Sequence, residues 1–297
     1  MTKRIGIDRR HVPEKGMMTL NQYLKERARG RLHSAAAKFT PTDIGTLEAW
    51  HKVDTLSLSH NDPVASWSDS SGNGLTLAQA TTSKKPTYKT DHQLNGYDAV
   101  YFDGGDDVYT DSFPSTSNFN FFTIAVAEII DYTANKYLLS FNDQSGKTDA
   151  HKHLALRFFV DANGSVAANK ITIYRNDGGS NHNRSMQLGT DLAHSYPAII
   201  CMGIEYRSGT ITDLYIWFNG SGGHIAYISR DDVDLTTYTL GSKGKGSSGL
   251  GSGDYIYESA IFSTMISTSD RRKMEGYLSA KYNIPLPSDH VYFAGAP

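Results

Sequence analysis

Five residues combine the groups that sugar recognition requires. Trp217 supplies an indole face, and the polar stretch at residues 177–184 (DGGSNHNR) supplies Asp177, Asn181, Asn183 and Arg184. An aromatic ring stacks on the apolar face of a sugar, while amide, carboxylate and guanidinium neighbours read its hydroxyls. These five form the candidate glycan-binding set. Asp103, Asp106 and Asp107 fall in one short stretch (FDGGDD) and offer the hard oxygen ligands that calcium takes. The competing reading is that Asp and Gly simply shape a turn there. His151 and His153 would share one face of an extended strand, but no third metal ligand stands near them.

Covalent and acid–base chemistry finds less to work with. Glycoside hydrolysis needs two carboxylates held about 5–9.5 Å apart. Glu128 and Asp131 are three residues apart, which puts them on opposite faces of a strand, and the acids of residues 230–234 (RDDVD) fall in an expected loop. Cys201 sits inside an apolar run (AIICMGIEY), the setting of a packing residue rather than a nucleophile. No G-x-S-x-G elbow occurs. Residues 244–249 (GKGSSG) match G-x-G-x-x-G, but a strand-like run follows them instead of the helix that a dinucleotide site needs. That segment reads as a flexible loop.

The whole chain is nearly neutral, with 29 Lys+Arg against 31 Asp+Glu in 297 residues, but the charge is unevenly placed. Residues 1–40 hold ten bases and three acids, a charge of +7, which leaves −9 on the remainder. Within this arm, Thr19-Leu20-Asn21-Gln22 fits a capping box and begins a short, interrupted helix over about residues 20–37. Its apolar stripe is thin, so docking on another surface is expected to order it. The basic residues lack interleaved aromatics, which disfavours nucleic acid as a partner. No stretch approaches 18 consecutive apolar residues, and no apolar core follows the first bases, so neither a membrane span nor a cleaved signal peptide is expected. With Cys201 as the only cysteine, no intrachain disulfide can form.

These groups would have to be positioned by strands. From Ala49 onward the dominant period is two: residues 121–130, 137–141, 154–160, 171–174, 198–206, 214–218, 225–228 and 255–262 are short β-rich runs separated by Asn/Asp/Gly/Ser clusters. Such spacing, without intervening helices, predicts an antiparallel sandwich or barrel. One helix is expected near the end, capped by Ser267, with Met274, Tyr277, Leu278 and Lys281 on one face and Pro285 and Pro287 beyond it.

Three stretches carry a resemblance. They are the LEAW of residues 47–50 continuing to VASWSDSSGNG at 64–74, YDAVYFDGGDD at 97–107, and GDYIYESAIF at 253–262 with the helix ending MEGYLSAKY at 274–282. In this order they resemble concanavalin A-like, laminin-G-like jelly-roll domains, found in bacterial surface proteins and bacteriophage structural proteins. The resemblance implies an all-β, antiparallel two-sheet jelly-roll sandwich over residues 41–297, preceded by the arm at 1–40. It also implies calcium as the one cation to consider, with no other cofactor. Related sandwich glucanases carry an E-x-D-x-E strand that this chain lacks, so no enzymatic activity is expected.

Together the arm and the resemblance predict a non-enzymatic phage virion component: a capsid decoration protein, a head fibre or a tail-associated adhesin. Arg4, Arg9, Arg10, Lys25, Arg27, Arg29 and Arg31 would anchor it to a major capsid or tail protein by charge attraction. A host surface glycan is the second expected partner, and homo-oligomerisation follows from the symmetry of virion attachment sites. The alternatives are a bacterial carbohydrate-binding or adhesin module and, less favoured, a glycan hydrolase or lyase.

Overall fold

The computed structural model describes residues 39–92, 96–104, 106–116, 120–129, 136–142, 153–159, 170–176, 181–187, 197–208, 211–229, 235–242 and 254–294. The helix expected in the arm, the Gly-rich stretch at 243–253 and the acids of 230–234 lie outside them. Among the described residues the first strands are β1 (Leu47–Lys52), β2 (Ser66–Trp67), β3 (Leu77–Ala78), β4 (Thr87–His92), β5 (Tyr97–Phe102) and β6 (Tyr109–Thr116). The middle of the chain forms β7 (Phe121–Glu128), β8 (Lys136–Asn142), β9 (His153–Phe159), β10 (Lys170–Asn176) and β11 (Asn181–Gln187). Then come β12 (Ala198–Ser208), β13 (Ile211–Phe218), β14 (Ser221–Ser229), β15 (Leu235–Leu240), β16 (Asp254–Phe262) and the helix α1 (Thr268–Tyr282). No helix among them is long and apolar enough to cross a membrane.

The strands assemble into two large antiparallel sheets, the sandwich that the period-two runs predict. One runs β14-β13-β12-β7-β16-β5-β4, with β1 paired to β16 beside β5; the other runs β11-β10-β9-β8-β15-β6. Their inner faces share one core, in which Phe121, Ile200, Met202 and Ile256 of the first sheet meet Phe141, Leu156, Ile173 and Leu240 of the second. Each fully buried side chain of this size stabilises the fold by about 1.5–3 kcal/mol.

Why β7 reads as a nearly continuous apolar run, interrupted only by Thr123 before its last residue Glu128, is clear from its two faces. Phe121, Ala125 and Ala127 point into the sandwich, while Phe122, Ile124 and Val126 point outward into a second core beneath α1. A strand covered on both sides has no solvent face to supply polar alternation. Met274, Leu278 and Tyr282 of α1 close this second core over Ile199, Cys201, Trp217 and Phe262.

The helix starts where its cap predicts: the Asp270 N–H donates to the Ser267 hydroxyl at 3.1 Å, and Asn283 ends it in the left-handed region at φ 56°. Its buried face also carries charge. Arg271 Nη1 lies 2.5 and 2.6 Å from the two oxygens of Glu275, whose Oε2 is 3.0 Å from Nε2 of His290. Because Nδ1 of His290 accepts the Tyr292 N–H at 3.2 Å, the ring proton sits on Nε2 and is donated to Glu275. This bond ties the segment after the helix back onto it.

The motif residues of the first stretch are structural. Trp50 and Trp67 are both buried, and their indole N–H groups donate to Glu258 Oε1 at 2.6 Å and to the Lys52 carbonyl at 3.0 Å. Asp69 organises the following turn. Its Oδ1 accepts the N–H groups of Trp50 and Ser71, and its Oδ2 accepts the Ser71 hydroxyl and the N–H groups of Gly74 and Leu75.

Candidate functional site

Alternation along β12 and β13 sends Glu205 and Arg207, and then Asp213, Tyr215 and Trp217, to the outer face of the larger sheet. The register sets Glu205 opposite Asp213, and Cys201 opposite Trp217. On the far side of β13, Tyr227 of β14 stands opposite Asp213 and His224 opposite Tyr215. His224 and Tyr227 are three residues apart, so an unbroken strand would put them on opposite faces. A bulge in β14 inserts one residue between them and returns both to the outer face. The β13–β14 turn makes this hairpin tight: Asn219 and Gly220 have φ of 46° and 82°, the paired left-handed conformations of a two-residue hairpin loop.

Arg271 of α1 lies 4.6 Å over the Trp217 ring, so the helix roofs one end of this row. Beyond it the face opens. Tyr215 stacks on Trp217 with its ring 5.5 Å away and 1° from parallel, and His224 meets Tyr215 edge-on at 5.4 Å. Tyr227 follows, 4.4 Å from His224 and 52% exposed. Polar groups flank the rings. The Tyr215 hydroxyl donates to Glu205 Oε2 at 3.1 Å, and Asp213 lies 3.5 Å from Arg207 Nε and 3.4 Å from His224 Nε2. The Arg207 guanidinium also lies 5.3 Å from the Tyr227 ring centre.

The electrostatics follow from these contacts. Burial, reinforced by the hydrogen bond to Glu205, pushes the Tyr215 hydroxyl up to about 12, so it stays a neutral donor. Hydrogen bonding to Tyr227 and the charge of Asp213 raise Arg207 above its usual value. The result is a row of aromatic faces bordered by two carboxylates and one guanidinium. It can stack an apolar ring face and exchange hydrogen bonds with hydroxyls around it.

The residues proposed from sequence are distributed differently. Trp217 alternates with Ile216 and Phe218 as expected, yet it is only 7% exposed beneath α1, so it is the buried end of the row and not its platform. Residues 181–184 of the polar stretch lie in the edge strand β11. Their polar character suits an edge that pairs on one side only, with Asn183 opposite Tyr174, Asn181 opposite Asn176 and Arg184 opposite Ile173. Arg184 is exposed. β11 and β14 approach each other at one rim of the sandwich. Asp177 and the arm residues Arg4, Arg9, Arg10, Lys25, Arg27, Arg29 and Arg31 lie outside the described residues.

Among the acids proposed for calcium, Asp103 is exposed, Asp106 half-buried and Asp107 buried. Asp107 Oδ2 accepts the Asp103 N–H at 2.9 Å, which is turn-shaping work. Burial first, then the charges of Asp103 and Asp106, push Asp107 up to about 6. Among the described residues no three His, Cys, Asp or Glu side chains converge as a metal site requires. Cys201 is fully buried and its thiol is pushed well up by burial and by Glu275.

Glu205, Arg207, Asp213, Tyr215, His224 and Tyr227 were not singled out from the sequence. The period-two spacing of IEYR and TDLYIW already put their acids, base and rings on one face. Only the strand register, with the bulge in β14, brings the three strands' contributions together.

No protein-family model matches the chain, and no curated protein matches it in sequence. Solved structures do match in fold. Trypanosoma rangeli sialidase in complex with sialic acid superposes with a TM-score of 0.52 at 12% identity, over 88% of this chain and 38% of that one. The binding domain of paraclostridial mosquitocidal protein 1 gives 0.53 at 10% identity, over 78% and 52% respectively. The chain thus spans about a third to a half of these proteins. At such identities the likeness shows that this protein shares their β-sandwich fold.

Proposed function

We propose that the chain is a non-enzymatic carbohydrate-binding β-sandwich module whose ligand lies across Tyr227, His224 and Tyr215. The observation that carries this reading is the 52% exposure of Tyr227 on a sheet face where Asp213, Glu205 and Arg207 stand beside the rings. Aromatic stacking combined with a few convergent polar groups is what a sugar requires of a protein surface. The sandwich fold shared with the binding domain of a mosquitocidal protein supports the same reading. In this proposal the module is part of a phage virion, as a capsid decoration protein, head fibre or tail-associated adhesin. Residues 1–40, with their charge of +7, join it to a major capsid or tail protein.

The test is a glycan array probed with the full chain and with Tyr227→Ala. The variant should lose at least ten-fold in binding while its unfolding midpoint stays put, because truncating so exposed a side chain changes stability by no more than about 0.5 kcal/mol. Undiminished binding by the variant would overturn the assignment. A second reading, a glycan hydrolase, is favoured by one observation: Glu205 and Asp213 face each other in register on adjacent strands. Incubation with bacterial polysaccharide separates the two readings, since new reducing ends would establish hydrolysis.

A further inference from the structure

Granted the carbohydrate reading above, on which this inference rests, the charges of the site bear on which sugars it takes. Glu205 and Asp213 supply two carboxylates against the single guanidinium of Arg207. That guanidinium is already engaged, 3.5 Å from Asp213 Oδ2 and 5.3 Å from the Tyr227 ring. Glu205 accepts one hydrogen bond from Tyr215, and a carboxylate has lone pairs for several donors. A sugar hydroxyl is such a donor. A uronate or sialate carboxylate is not: it would meet Glu205 and Asp213 as like charges. Asp213 is only 5% exposed and Arg207 58%, so one exposed guanidinium stands against two carboxylates.

We infer that the site takes neutral pyranosides and rejects anionic ones, with Glu205 as the acceptor that reads ring hydroxyls. Binding that depends on stacking and hydroxyl hydrogen bonds carries little of the salt dependence that charge pairing imposes.

The experiment titrates the full chain with dextran, mannan and cello-oligosaccharides as neutral probes, and with alginate, polygalacturonate and polysialic acid as anionic ones, at 50 and 500 mM salt. At least one neutral probe should bind, with affinity changing less than about three-fold between the two salts. Glu205→Gln should weaken that binding at least five-fold, and no anionic probe should compete. Preference for an anionic probe, weakened by salt and by Tyr227→Ala, overturns the neutral selectivity while leaving the carbohydrate reading intact. Binding of no probe, or binding indifferent to Tyr227→Ala, overturns both.

Discussion

Asp69 shows how much one side chain can organise, since five donors from Trp50, Ser71, Gly74 and Leu75 converge on its two oxygens. Burial alone would raise this carboxyl. The hydrogen bonds from Ser71 and Trp50, helped by His51, outweigh it and hold the group below its ordinary value. A carboxyl lowered in the folded state contributes stability that is present above its unfolded value, about 4, and is lost as pH falls through the folded one. Asp69→Asn turns an amide N–H₂ toward some of those donors and should cost about 1–3 kcal/mol at pH 7. In urea unfolding the gap between wild type and variant should narrow from pH 5 to pH 2; a gap independent of pH would refute this role. A residue role that depends on one strand's own pattern was legible in the sequence: Cys201 is core, as its apolar run indicates. Tyr227 was not, because its neighbours come from two other strands and its face is set by a bulge that no local pattern announces.

The same division holds among the elements. All eight apolar runs became strands, since burial on one or both faces leaves an apolar record. β4, β6, β11 and β15 leave no such record, because TYKTDH, YTDSFPST, NHNRSMQ and LTTYTL are largely polar. Three of them, β4, β6 and β11, end their sheets, where one side of the strand pairs with no neighbour in the strand order. The β13–β14 hairpin is the element on which the proposed site depends. Gly222 has φ 133°, and a Cβ there would stand 2.2 Å from the Ile216 carbonyl oxygen, which is backbone and cannot turn aside. Gly222→Ala should therefore cost about 2 kcal/mol or more and displace His224 and Tyr227. Calorimetry and the glycan titration should both register it, whereas an unshifted melt would show the hairpin to be more compliant than its geometry indicates.

For the molecule as a whole, two sheets and a helix were foreseeable from strand count and from the order of three motifs, but the existence of two cores was not. α1 encloses the second core against the outer face of the larger sheet, and Phe39 contributes to it by meeting the Tyr277 ring edge-on at 6.4 Å. Under the proposal that residues 1–38 serve attachment and not the fold, deleting them while keeping Phe39 should leave the melting temperature within about 2 °C. Co-sedimentation with virions should fall to background, and a truncated chain that still sediments would locate the attachment elsewhere. The roof that α1 forms has a practical consequence through Cys201, the one thiol in 297 residues, wholly covered and 3.8 Å from Glu275. A maleimide added to the native protein must wait until the helix lifts. Its uptake is thus a stopwatch for that excursion, installed by the chain itself and free of any competing label.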